Sequence, residues 1–145
     1  EEVRFVNAQE RNQKQQALLA FVELWKRAWE SDDVEHYLSF YSEKFRTGGS
    51  NYKSWAKRKR VLNKRIEERK IHISDLSILE SKNVVHVRFV QDYSSSNITD
   101  IGMKELFITQ ENGQYKIISE NWSRLKSPQP ATLQYAYQDS EESAL

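Results

Sequence analysis

Residues 84–93 read VVHVRFVQDY, residues 100–110 DIGMKELFITQ and residues 114–124 QYKIISENWSR. Each run is rich in β-branched and aromatic side chains. Ser94 to Asn97 separates the first from the second, and Asn112-Gly113 the second from the third, the pattern of strands joined by tight turns. A fourth run, Ile71 to Leu79, precedes them across Ser81-Lys82-Asn83. Connections this short exclude parallel crossovers, so the four runs predict an antiparallel meander. In residues 100–110 both parities carry apolar side chains, Ile101, Met103 and Phe107 on one and Leu106 and Ile108 on the other. Such a sheet has two faces to cover.

Upstream the apolar period changes from two to 3.6. With Trp25 as origin, Leu18, Phe21, Val22, Ala28 and Trp29 lie within roughly 60° on a helical wheel, which predicts a helix from about Gln9 to Glu30. Asp32 or Asp33 can cap a second helix, Val34 to Tyr41, that carries Tyr37 and Tyr41 on one face. Thr47-Gly48-Gly49-Ser50 breaks the pattern. A third helix is expected over Tyr52 to Arg69, with Trp55, Leu62 and Ile66 in one line. Helices before strands give an α+β class, with the helices covering one sheet face. The other face then needs a partner subunit or the chain's own tail. Residues 1–126 form the expected domain. Ser127-Pro128-Gln129-Pro130 and the acidic stretch after it read as a flexible or docking tail, 127–145, that could dock through Leu133, Tyr135 and Tyr137.

At 145 residues the chain has the length of one domain, burying about two-thirds of its unfolded surface. Aromatic residues are 12% and Pro only 2, which argues against disorder despite a mean hydropathy of −0.81. Without Cys there is no disulfide scaffold, thiolate metal site or cysteine nucleophile. The longest apolar stretch, Ala17 to Val22, is too short to span a bilayer and runs into Glu23 and Lys26, unlike a signal-peptide core. The start at Glu1 rather than Met is expected of a processed or excised piece. Charge is unevenly spread: residues 51–70 hold nine basic and two acidic side chains, a local +7 in a chain of net +1, so the remainder is −6. A cationic stripe on an acidic body steers anionic partners. Nucleic acid is a weak candidate, because the pI is only about 8.2 and no recognised binding signature is present.

Trp25-x3-Trp29, Asp32/Asp33, Tyr37, Tyr41, Phe45 and Trp55 with basic residues after it resemble the front half of a nuclear-transport-factor-2-like (NTF2-like) domain. Phe89 to Tyr93, Asp100, Lys104-Glu105-Leu106, Asn112 to Ile118 and Glu120 resemble its back half. The nearest likeness is the C-terminal NTF2-like domain of the Cds6 type, found in bacterial envelope proteins related to L,D-transpeptidases, over roughly Gln16 to Arg124; Tyr115 stands where Trp is expected. The resemblance implies a cone, a strongly bent antiparallel sheet around three helices with a pocket at its open end. It also implies a periplasmic or envelope location; the sequence itself leaves the cytoplasm open.

Such folds host isomerase- and cyclase-like enzymes and binding modules alike, so residues must decide. An enzyme needs a cavity carboxylate or His and an oxyanion donor. Asp92, Asp100, Glu120, Tyr41 and Tyr93 are available, but none sits in a motif that identifies a general base. His36, His72 and His86 lack convergent spacing, so no metal site is expected, and no cofactor motif occurs. Arg58, Arg65 and Arg69 fall beside the apolar line of the third helix, where guanidinium can meet carboxylate or phosphate, and Lys59 flanks the other side. The expected ligand site is therefore Tyr41, Trp55, Arg58, Lys59, Tyr93, Lys104 and Glu120. The function expected is that of a non-catalytic accessory domain. It would bind a polar or anionic ligand such as a cell-wall (peptidoglycan) fragment or mediate association, with a homodimer through the outer sheet face. The alternatives are a small isomerase or cyclase using a cavity carboxylate, and a dimerisation module. In the last hairpin a three-residue loop with Gly113 at positive φ is expected, placing Lys104 opposite Glu120 and Leu106 opposite Ile118. A two-residue turn would instead set Lys104 opposite Asn121.

Overall fold

A computed structural model describes residues 8–125, so the expected tail and its docking residues lie outside the described residues. The element order is α1 (Ala8–Glu30), α2 (Val34–Leu38), β1 (Arg46–Thr47), β2 (Ser50–Asn51), α3 (Tyr52–Asn63), β3 (Lys70–Glu80), β4 (Val85–Ser94), β5 (Thr99–Glu111) and β6 (Gln114–Arg124). The four long strands form an antiparallel sheet in the order β3-β4-β5-β6, and β1 pairs with β2 in a small hairpin. The expected meander is present. Leu18, Val22, Trp25, Ala28 and Trp29 of α1 are buried in one core with Val85, Val87, Phe89, Tyr93, Leu106, Ile108 and Ile117 of the sheet. The helices thus cover one face, as the parity of β5 requires: Leu106 and Ile108 are fully buried, while Ile101, Met103 and Phe107 are half-buried on the other side.

Both shorter helices stop before their expected ends. The side chain of Asp33 accepts from the backbone N–H of His36 at 3.1 Å and starts α2, which closes at Leu38 rather than Tyr41. Beyond it the chain runs beside β6: Ile117 N–H donates to the Phe40 carbonyl and Ser42 N–H to the Ile117 carbonyl, both at 2.9 Å. Pairing with a strand edge takes the amides a helix would use. Asn51 caps α3 through Ser54 N–H, and that helix ends at Asn63 rather than Arg69. Arg65 and Ile66 both bond back to the Leu62 carbonyl, and Glu68 adopts φ 55°, turning the chain into β3. Arg65 and Arg69 therefore do not continue the face of Arg58.

The hairpin register is corrected in two ways. Asn112 and Gly113 have φ of 53° and 78°, the two left-handed residues of a two-residue primed turn whose twist suits the strands, and Glu111 pairs with Gln114. The register then shifts: Ile108 faces Ile117, but Phe107 faces Ser119, which puts Leu106 opposite Glu120 and Lys104 opposite Trp122. Ile118 is the extra residue of a β-bulge, next to the Ile117 bridge to Tyr41. Side chains alternate along a strand, so one inserted residue reverses their parity. Ile117 and Glu120, three apart, both point inward because of it, and both are buried.

Candidate functional site

Six of the seven expected site residues meet in the core between helices and sheet. Tyr41, Trp55, Lys59, Tyr93, Lys104 and Glu120 are all buried, Lys59 to 6% and Lys104 to 2% exposure. Arg58 lies exposed on α3. The aromatic frame is continuous: Tyr41 lies 4.4 Å from Trp55 and 5.2 Å from Tyr37, and Trp29 lies 5.5 Å from Tyr93 and 5.3 Å from Trp25 between ring centres. Helical spacing on α1 supplies Trp25 and Trp29. Tyr41 reaches the same spot from the segment beside β6.

Glu120 is the focus of a polar chain. Lys104 Nζ donates to its Oε2 at 3.4 Å, and the Tyr41 hydroxyl donates to the carboxylate at 3.3 and 3.4 Å. Trp25 Nε1–H donates to the Tyr41 oxygen at 3.0 Å, and the Tyr37 and Tyr41 hydroxyls lie 2.8 Å apart. Thr47 pins the backbone, its hydroxyl donating to the Glu120 carbonyl at 3.0 Å. Lys59 Nζ sits 5.7 Å from the Trp29 ring centre and 5.8 Å from that of Trp55; Lys104 Nζ sits 5.2 Å from Trp29 and 5.8 Å from Trp122. Both cations rest among aromatic rings, which attract them through the ring quadrupole. Arg69 is buried too, donating through Nη1 to the Trp29 carbonyl at 2.6 Å. Three buried cations, Lys59, Lys104 and Arg69, therefore share the core with the Glu120 carboxylate, while the buried Asp100 carboxylate pairs with Arg124.

The electrostatics follow from that count. Burial lowers the pKa of Lys59 from its ordinary 10.5 to about 7, the positive charges of Lys104, Arg69 and Arg58 push the same way, and Glu120 resists. Burial also lowers that of Lys104, against the pull of Glu120. Burial, then the Glu120 charge, raises Tyr37 and Tyr41 well above 10, so both hydroxyls keep their protons as donors.

The other carboxylates have structural employment or lie outside. Asp100 accepts from Arg124 Nε at 2.6 Å and from Ile101 N–H at 2.9 Å, and Asp92 is exposed. His86 pairs with Glu105 at 2.6 Å on the outer face; among the described residues no three metal-ligating side chains cluster. A hollow of about 10 Å³, room for about one water, borders Lys59, Tyr37, Trp29 and Arg69. A cleft of about 200 Å³ lies at the other end of the sheet, lined by Lys14, Lys82, Asn83 and Tyr115 among others, away from every expected site residue.

Three further polar side chains of this core, Gln91, Trp122 and Arg69, lie outside the expected site. Gln91 was legible, because it is the polar member of the inward series Val85, Val87, Phe89, Gln91, Tyr93. Trp122 was hidden by the parity reversal at Ile118. Arg69 was noticed, but on a helix that does not reach it.

A family model for the Cds6 C-terminal NTF2-like domain matches residues 17–121. Among solved structures, Bd1075 of Bdellovibrio bacteriovorus is 36% identical with a TM-score of 0.78, over 86% of this chain and 47% of that one. The helical cell shape determining protein Pgp2 of Campylobacter jejuni is 33% identical with a TM-score of 0.61, over 71% of this chain and 39% of that one. This chain thus spans less than half the length of either. An NTF2-like protein of unknown function from Pseudomonas putida shares the fold at 9% identity, TM-score 0.69, over 82% and 98% of the two chains. No curated protein gives a significant match. With the family model covering most of the described chain, the protein belongs to the Cds6 C-terminal NTF2-like domain family.

Proposed function

We propose that this domain is a non-catalytic binding module of a bacterial envelope protein, and that its buried cationic core takes an anionic fragment of the cell wall. The observation that carries the reading is the set of buried cations, Lys59, Lys104 and Arg69, in the same core as the Glu120 carboxylate and inside a frame of Trp and Tyr. An anion relieves the mutual repulsion of those cations and gains charge-assisted hydrogen bonds in a water-poor setting. Glu120 is paired with Lys104 and Tyr41, which favours binding over proton transfer; an isomerase or cyclase would hold its carboxylate free to act as base. The hollow of about 10 Å³ borders Lys59 and Arg69, so an anion approaching from that side meets those two side chains first. The likeness to a cell shape determining protein supports the wall fragment as ligand. No helix among the described residues is long and apolar enough to cross a membrane.

The test is intrinsic fluorescence during titration with muropeptide fragments. All four Trp residues of the chain (Trp25, Trp29, Trp55 and Trp122) line or adjoin the core, so an occupied site changes the emission. Saturation by muropeptides and its loss in Lys59→Met are expected. No change with any muropeptide contradicts the reading.

Association belongs to the same proposal. Val90, Met103 and Phe107 lie on the outer sheet face, where the His86 ring stacks on Phe107 at 4.6 Å and Leu79 is 69% exposed. A second copy of the chain is the occupant this face suits, since its exposed or half-buried charges are of both signs, Arg88 against Asp92 and Glu105.

A further inference from the structure

We infer that the solvent face of α3 is a docking surface for an anionic phospholipid bilayer. The surface lies outside the aromatic core, so it stands or falls separately from the binding of a wall fragment there. Residues 52–66 contain no Asp or Glu, and Lys53, Lys57, Arg60 and Lys64 are all exposed. At about 100° per residue these four side chains fall within an arc of about 60°, and they run for about 16 Å along the axis. Lys64 is the C-cap and keeps helical backbone angles, so it extends the same ridge.

Little of this charge is neutralised within the domain. Arg60 donates to Glu35 through Nε at 2.7 Å and Nη2 at 3.0 Å. Lys53, Lys57 and Lys64 have no carboxylate partner among the described residues. Lys53 with Lys57, and Arg60 with Lys64, set like charges four residues apart, a spacing that opposes helix formation. The helix holds because its other face buries Trp55, Ala56 and Leu62. Arg58 and Arg65 are exposed beside the ridge, and the acidic pair Glu67 and Glu68 comes only after it ends. An anionic surface relieves the repulsion along this row.

The chemistry of the face favours a bilayer over a nucleic-acid strand. Its unpaired cations in the row are lysines, compact charges on flexible stems that suit a diffuse field of headgroups. Val61 is 45% exposed and stands four residues from Lys57 and three from Lys64, on their side of the helix. An apolar side chain among cations gains by entering the headgroup layer and gains nothing from a strand of phosphates. Stacking on bases needs exposed aromatic rings, but Trp55 is buried and Tyr52 packs against the core.

The experiment is co-sedimentation of the full chain with vesicles of equal parts phosphatidylglycerol and phosphatidylcholine, compared with vesicles of phosphatidylcholine alone. The protein should pellet with the first and not with the second at about 0.1 M salt. It should stay in solution at about 1 M, where the screening length falls from about 10 Å to about 3 Å. The combined variant Lys53→Gln, Lys57→Gln and Lys64→Gln should partition at least about tenfold less. Its melting temperature should hold or rise, because repulsion has been removed from an exposed face. Lys14→Gln, Lys44→Gln and Lys82→Gln together remove the same charge from exposed sites outside α3 and should keep most of the binding. Equal pelleting with both vesicle types, no pelleting with either, binding retained in the ridge variant, or an equal loss in the control variant overturns the inference. A ridge variant that fails to fold overturns it as well, since those lysines would then be structural. Tighter binding of the ridge to a single-stranded oligonucleotide than to the vesicles assigns it to a linear polyanion and also overturns it. Muropeptide fluorescence of the same protein reads the core separately, and its failure leaves the docking surface standing.

Discussion

Glu120 is the buried carboxylate paired with Lys104, and its removal tests how the core is balanced. Glu120→Gln leaves Lys104 without its partner at 3.4 Å, and uncompensated buried charge costs about 3–5 kcal/mol when a buried pair is broken on one side. Urea denaturation of this variant should show a loss of that order. A change below about 1 kcal/mol would mean the pair carries no structural weight. Lys59 gives a pH signature with a definite sign. Its pKa is about 7 when folded against an ordinary 10.5; across that window the unfolded chain holds a proton that the folded chain has released. Stability therefore rises from about pH 7 upward and is least below it, where residue 59 stays charged in both states. Above about pH 10 the trend reverses, because the raised Tyr37 and Tyr41 keep protons that the unfolded chain gives up. Anion binding runs the other way, weakening as pH rises through about 7 and Lys59 loses its charge. Melting temperature and affinity measured across pH 6 to 9 should move in opposite directions. Arg58 is exposed, and a contact there is screened, so Arg58→Ala should weaken a muropeptide by less than tenfold.

The elements show what was legible in the sequence and what was not. The strands and α1 were readable to within a residue or so, since apolar period and turn residues are local signals. The ends of α2 and α3 were not, because they are set by partners distant in sequence: the β6 edge at Ile117 for the first, the burial of Ile66 and Arg69 for the second. The register failed at one residue. Cross-strand pairing of Lys104 with Glu120 and of Leu106 with Ile118 was the natural choice on charge and apolarity, yet the insertion of Ile118 moves each partner. The two side chains still meet, as diagonal neighbours. Deleting Ile118 leaves Ile117 and Glu120 two apart, so β6 alternates simply with Glu120 and Trp122 still facing inward. The expected outcome is muropeptide binding and a melting temperature close to those of the unmodified protein; loss of both would show that the bulge itself shapes the site. At the turn, Gly113→Ala places a Cβ at φ 78° and should cost about 1 kcal/mol with binding intact.

The molecule as a whole joins a family-defining fold to a core that is unusually polar for its depth. The candidate site was partly readable in sequence: six of the seven expected residues are buried in the core and Arg58 is exposed, whereas Gln91 and Trp122 needed the sheet to be paired first. Association is checked by light scattering at high protein concentration, where a particle of twice 17.2 kDa is expected and a monomer would remove the proposed use of the outer face. The central claim is that the buried cations hold an anion, and intrinsic fluorescence during muropeptide titration tests it most directly, with single-stranded oligonucleotide as the control. The account predicts saturable binding of muropeptides, weaker above pH 7 and lost in Lys59→Met, with little response to the oligonucleotide. No response to muropeptides, or equal responses to both ligands with steep salt dependence, would contradict it and reduce the basic residues to a surface charge patch.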